Sequence, residues 1–393
     1  MIKKTLKNFF KLEAATGILL FLATALALVV ANSSGSGFYF QFLKISLPLN
    51  ILNIEKDLSL LDWINEALMA VFFLLIGLEL KKEILTGHLS SKKKIILPAA
   101  AACGGIIIPA LIFCFINFHN SENLRAFAIP TATDIAFAYG MLCLFGKKIP
   151  HSLKIFIVAL AVLDDLVAIL IIAFFYSKNL EFFYLVMSLI PLIGIVILNI
   201  KKSFHISFYL IFGVFLWILI LKSGIHATLS GVILSMFIPL SVNKKNLLEN
   251  FTHKIAPIVN FLILPIFAFA NSGIKISNFS AETFSQPLVF GIIFAMFFGK
   301  QIGVMLFSYL VIKFKFANLP QGVNWLEFYG AAIFTGIGFT MSIFIAGLAF
   351  VENDTLMKII LDEVKLAILI GSILSILYGS FITLISLTKN QQV

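Results

Sequence analysis

Charge is scarce in this chain. Only 12% of its 393 residues are Asp, Glu, Lys or Arg, while 60% are hydrophobic. An average soluble domain is about 25% charged, so this balance excludes one. Cysteine is scarcer still. Cys103, Cys114 and Cys143 all fall in apolar stretches without disulfide or metal-ligand spacing. That excludes a disulfide scaffold and a zinc module, and the thiols read as small packing residues. No nucleophile–base set or phosphate loop is present, so the chain does not read as an enzyme and no cofactor is implied. The alternating ten-residue segments of a membrane β-barrel are missing too.

What the chain has is long apolar runs, many reaching the roughly 20 residues that cross a bilayer. They describe an all-α integral membrane protein, one transmembrane domain over 1–393, with about twelve transmembrane helices. The expected spans are 12–31, 60–80, 95–116, 125–144, 150–175, 181–200, 204–221, 224–240, 255–272, 287–312, 327–351 and 359–387. The first follows MIKKTLKNFFK and imitates a signal peptide. Its apolar run is longer than a signal core, so it is read as an uncleaved first helix.

The lysines sit in short loops between these runs. The net charge of +10 therefore implies a lipid bilayer as partner and no nucleic acid. With the N-terminus in the cytoplasm, twenty of the 29 Lys and Arg residues fall on the cytoplasmic side, among them Lys3, Lys4, Lys7 and Lys11. This bias puts both termini in the cytoplasm. The longest outer loop, 32–58, opens with SSGSG and continues with strand formers broken by Pro48. It offers a candidate β-hairpin over 38–54 that pairs with a second copy, so a homodimer is expected.

The topology exposes a symmetry. Residues 95–175 and 287–387 form inverted three-helix repeats, and the middle helix of each is interrupted. In span four, Pro130 lacks an amide hydrogen and bends Ile129 out of helical geometry, and TATD follows. In span eleven, TGIGFT (Thr335 to Thr340) sets two glycines and two threonines at mid-membrane. Matched interruptions in two halves, expected to cross, mark a transporter binding site.

Deep charges are few. Asp134, Asp164, Asp165 and Lys300 all lie within apolar spans. Unpaired, the four would cost on the order of 10 kcal/mol to insert, so they should meet around one hydrated cavity. Asp134 can neutralise the half-helix N-termini and Lys300 the C-termini. Asp164 and Asp165 stand about 100° apart around a helix, so one faces a cation while the other leans towards Lys300. Such a pair titrates as a unit. Its oxygens suit hard cations such as Na⁺ or Li⁺, and protons compete for the same carboxylates. That competition is enough for exchange. The plainer alternative is a buried packing network. A sodium-coupled symporter of an organic anion is the main functional alternative, and a membrane scaffold would need no deep charges.

Several stretches carry a resemblance: ALMAVFFLLIGLELKKEI (67–84), AIPTATDIAFAYG (128–140), LAVLDDLVAIL (160–170), SGIHATLSGVIL (223–234), LILPIFAFANSGI (262–274), FGKQIG (298–303) and GIGFTMSIFIAGLAF (336–350). In this order, over residues 12–387, the chain resembles the NhaA-type sodium/proton antiporter family. The resemblance also implies inverted repeats with a midplane site, as that family has. The resemblance implies electrogenic, pH-regulated Na⁺ or Li⁺ export in exchange for protons, serving sodium and pH homeostasis across a bacterial inner membrane. It makes Asp165 the principal Na⁺ ligand and proton carrier, and Asp164 its partner, bound to Lys300. Thr133 and Asp134 would line the site. Glu79, Lys82 and Glu83 match the family's pH-sensing cluster, and His226 is a pH modulator or a packing residue. One stretch departs: FTHKIAP places Thr252 and Ala256 where the family has an acid and a histidine. Glu249, nearly one turn upstream, can take the acid's place.

Overall fold

The computed structural model describes residues 14–51, 54–87, 92–177, 180–242, 245–350 and 355–390. The cluster Lys3, Lys4, Lys7 and Lys11 lies outside them. Helices dominate: α1 (Ala15–Ala31), α2 (Ser36–Leu43), α3 (Leu60–Leu85), α4 (Lys92–Ile116), α5 (Ile135–Leu144), α6 (His151–Phe175), α7 (Phe182–Ile200), α8 (Ile206–Ser223), α9 (Leu229–Phe237), α10 (Leu247–Asn271), α11 (Pro287–Lys313), α12 (Trp325–Phe334), α13 (Phe339–Ala349) and α14 (Thr355–Asn390). Among the described residues, nine helices are long and apolar enough to cross a membrane, or up to eleven if each of two bent pairs is one span.

The stretch expected as span eight is the one that falls short of this length. Span eight reduces to the nine residues of α9. Gly224 takes a left-handed φ of 82° that ends α8, and the chain turns before the helix resumes. Span nine begins earlier than expected, because α10 starts at Leu247 and carries Glu249 in its first turn. The stretch 38–54 also differs. Its start is helix α2 rather than strand, and a short antiparallel ladder follows, Leu49–Ile51 against Ile54–Lys56. The described residues group into two compact units. One comprises the described parts of Met1–Ala25, His88–Ala168 and Ile274–Val393; the other comprises those of Leu26–Gly87 and Ile169–Gly273.

The first unit is built on close helix pairing. α4 and α11 touch through glycines, and a Cβ on Gly104 would collide with the Gly303 carbonyl. Backbones approach this closely in membranes because small residues permit it. α4 also carries Pro98 and Pro109 inside the helix, as membrane helices tolerate. α12 starts on a capping box: Asn324 Oδ1 accepts the Leu326 and Glu327 amides, and the Glu327 carboxylate accepts the Asn324 amide. α12 and α13 together are the most buried of the candidate spans.

The second unit packs α9 against α3 in the same manner, with Gly231 on the Ala70 carbonyl and Gly77 on Ser235. Lys81 of α3 donates to the Met236 and Ile238 carbonyls at 2.6 and 2.7 Å, closing the C-terminus of α9. Asn199 adds a bond to Phe237 O.

Candidate ion site

Two helix breaks form the floor of the site. In the first, a 3₁₀ turn at Ile129–Thr131 gives way to extended backbone at Ala132 and Asp134 before α5 begins. In the second, α12 ends at Phe334 and α13 starts at Phe339. The breaks join directly. The Asp134 amide donates to Ile337 O at 2.6 Å, and Ser342 Oγ donates to Ile129 O at 2.8 Å. Each break exposes backbone groups that a continuous helix would satisfy, and the other break supplies partners for them.

Asp134 serves both. Its Oδ1 accepts the Phe137 amide and caps α5, while its Oδ2 accepts the Thr340 amide at 2.9 Å and the Thr340 hydroxyl. One buried carboxylate thus answers the N-termini of two half-helices, where negative charge is favoured. The sequence assigned Asp134 a task and placed Thr335 and Thr340 in the second break without a role, and it did not single out Ile337. The signal was present in TGIGFT, yet which backbone oxygens face the site depends on how two distant breaks meet.

Beside this floor lies a buried ion pair. Lys300 Nζ is 2.7 Å from Asp164 Oδ2 and donates to Thr133 Oγ1 at 2.9 Å. Thr133 Oγ1 lies 2.6 Å from Asp164 Oδ2 and 2.9 Å from Thr335 O, so its one proton serves either acceptor. Lys300 is fully buried, and Asp164 and Asp165 are each 2% exposed. Lys300 was expected both to pair with Asp164 and to offset the half-helix C-termini; its hydrogen bonds go to Asp164 and Thr133. Asp164 Oδ1 is buried with no hydrogen-bond partner among the described residues. No group of three or more His, Cys, Asp or Glu gathers among those residues as it would for a resident metal. The donor set is two carboxylates with hydroxyl and carbonyl oxygens, which suits a hard cation held in passing.

A family model described as Na+/H+ antiporter 1 matches residues 7–383. The chain belongs to that antiporter family. It is 47% identical to the Na(+)/H(+) antiporter NhaA of Pelagibacter ubique, over 99% of each chain. It is 46% identical to the NhaA of Shewanella frigidimarina, over 97% of this chain and 96% of that one, and equally identical to NhaA 1 of Syntrophotalea carbinolica over the same shares.

The regulatory candidates of this family member lie in the second unit. Lys82 Nζ is 2.8 Å from Glu249 Oε1, both side chains being part-exposed, and His253 approaches the same oxygen at 3.8 Å. Asn246 donates to the other Glu249 oxygen at 3.3 Å. Lys82 and Glu249, 167 residues apart, are thus brought together. Glu79 and Glu83 stand on the same end of α3. His226 is placed elsewhere, its Nε2 3.1 Å from Tyr176 O and its Nδ1 3.8 Å from Glu66 Oε1. Glu66 was not singled out from the sequence. Nothing in the run WINEAL marks it, since only the fold brings it to His226.

Proposed function

We propose that this protein exports Na⁺ or Li⁺ across a bacterial inner membrane in exchange for protons, electrogenically and under pH control. The observation that carries this reading is the buried Asp164–Lys300 pair beside Asp165. A buried pair is weak support for stability, because desolvation can outweigh the attraction. Its value here is exchangeable charge. Asp165 and the unengaged Oδ1 of Asp164 bind either protons or a cation. Thr133 Oγ1 and Thr335 O stand within reach as neutral oxygen ligands. A Na⁺ arriving from one side displaces protons, and protons arriving from the other displace Na⁺. Asp134 keeps the two half-helix N-termini neutral while this happens. Lys82, Glu249, Glu79 and Glu83, with His226, set the pH response.

The finer architecture goes with this reading. Twelve spans, inverted repeats over 95–175 and 287–387, crossed breaks, cytoplasmic termini and a homodimer are what a two-sided exchanger of this family would use. Symport of an organic anion finds no support in the family match. The test is purified protein in vesicles with an imposed pH gradient. Na⁺ and Li⁺ should collapse the gradient, while K⁺ and organic anions should not. Collapse by an organic anion with Na⁺ alone inert would overturn the reading.

A further inference from the structure

The helix that carries Lys300 is irregular just before it reaches the ion pair. Ala295–Gly299 forms a π-turn, and the Lys300 amide reaches back to Ala295 O. Such a turn holds about one residue more than an α-turn, which re-aims everything after it by roughly 100°. The direction of the Lys300 side chain towards Asp164 therefore depends on that turn staying open.

Gln301 is next in the chain and is buried. Its Nε2 donates to Phe297 O, inside the π-turn, at 2.7 Å. Its Oε1 accepts the Tyr329 hydroxyl, also at 2.7 Å. Both ends of the amide are engaged, so the side chain is a strut between the π-turn and α12. Tyr329 in turn packs edge-on against Tyr378 of α14, with ring centroids 6.4 Å apart. A buried polar strut of this kind costs desolvation unless it is satisfied, and it then fixes one arrangement.

We propose that Gln301 and Tyr329 are positioning residues for exchange: together they hold the π-turn and so aim Lys300 at Asp164. The idea rests on the exchange reading above and adds how its lysine is set. Because α12 leads into the second break, the same strut ties the aim of Lys300 to the position of that break. The titratable groups facing Lys300 are Asp164 and Asp165; Tyr329 meets Gln301, and Tyr378 packs on Tyr329.

The consequence is a pH effect. The charge of Lys300 opposes protons at the carboxylates. If the strut is lost and the lysine turns away, protons compete with Na⁺ up to a higher pH. Vesicles containing the native chain, Gln301→Met and Tyr329→Phe would be assayed across pH at low and at saturating Na⁺. For both variants the acid limb should move to higher pH by roughly half a unit, about a threefold change in proton competition. High Na⁺ should draw it back, with the alkaline maximal rate kept. Loss of folded protein would scale the profile without moving it. Variant profiles that superimpose on the native one, or that only scale, overturn the inference while leaving exchange intact. If Gln301→Met does not accumulate, the milder Tyr329→Phe decides by the same criterion. Native vesicles without Na⁺-dependent exchange would instead sink the exchange reading, and this inference with it.

Discussion

Asp134, Asp164 and Asp165 have different tasks that single substitutions would separate. Asp165→Asn keeps the shape of the side chain but neither carries a proton nor neutralises a cation. Exchange should vanish at every pH, and Na⁺-driven proton release by these vesicles would remove Asp165 from the mechanism. Asp164→Asn orphans Lys300, which is fully buried. Breaking one side of a buried pair costs roughly 3–5 kcal/mol, so this variant should lose thermal stability as well as activity, unlike Asp165→Asn. A melting comparison in detergent separates the two. Asp134 is a different case. Asp134→Ala strips the acceptor from the Thr340 and Phe137 amides, and it should raise the Na⁺ needed for half-maximal rate. Asp134→Glu keeps the charge and should be milder. Equal losses in both would mean that the exact reach to Thr340 matters more than the charge.

At the scale of elements, the interrupted helices and the α3 clamp govern behaviour. Lys81 and Lys82 are neighbours on α3 but hold different partners: Lys81 closes α9, and Lys82 pairs with Glu249 of α10. The second pair is half open to solvent, where ion pairs add little to stability and are screened by salt. Its loss should therefore leave folding intact and act on regulation. Ligand competition alone makes activity rise with pH, with an acid limb that moves to lower pH as Na⁺ is raised. A sensor at this clamp adds a step that Na⁺ cannot rescue. In pH profiles at saturating Na⁺, Glu249→Gln and Glu83→Gln should differ from the native chain. Superimposed profiles would reduce the cluster to an ordinary helix end. Local backbone chemistry also sets how long a helix in an apolar run can be. In the 224–240 stretch the apolar count is high enough for a span, yet Gly224 and the turn after it shorten the helix to α9.

At the scale of the molecule, the lysine distribution makes a prediction about sidedness. Reporter fusions at residues 90 and 120, before and after α4 in the sequence, should lie on opposite faces of the membrane, with 90 cytoplasmic. Fusions reporting one face would break the span assignment. The sequence by itself determined that the chain is helical and membrane-embedded, because sustained apolar runs have no other stable home. It also named Asp134, Asp164, Asp165 and Lys300, because charges within such runs are too costly to be incidental. The tertiary structure decided their pairing. Lys300 shares its hydrogen bonds between Asp164, the partner the family resemblance implied, and Thr133, Asp134 answers two half-helices through Thr340, and Glu249 meets Lys82. These contacts join residues 136 to 206 positions apart. No local pattern encodes such distances, because they follow from how the backbones of remote segments close on one another.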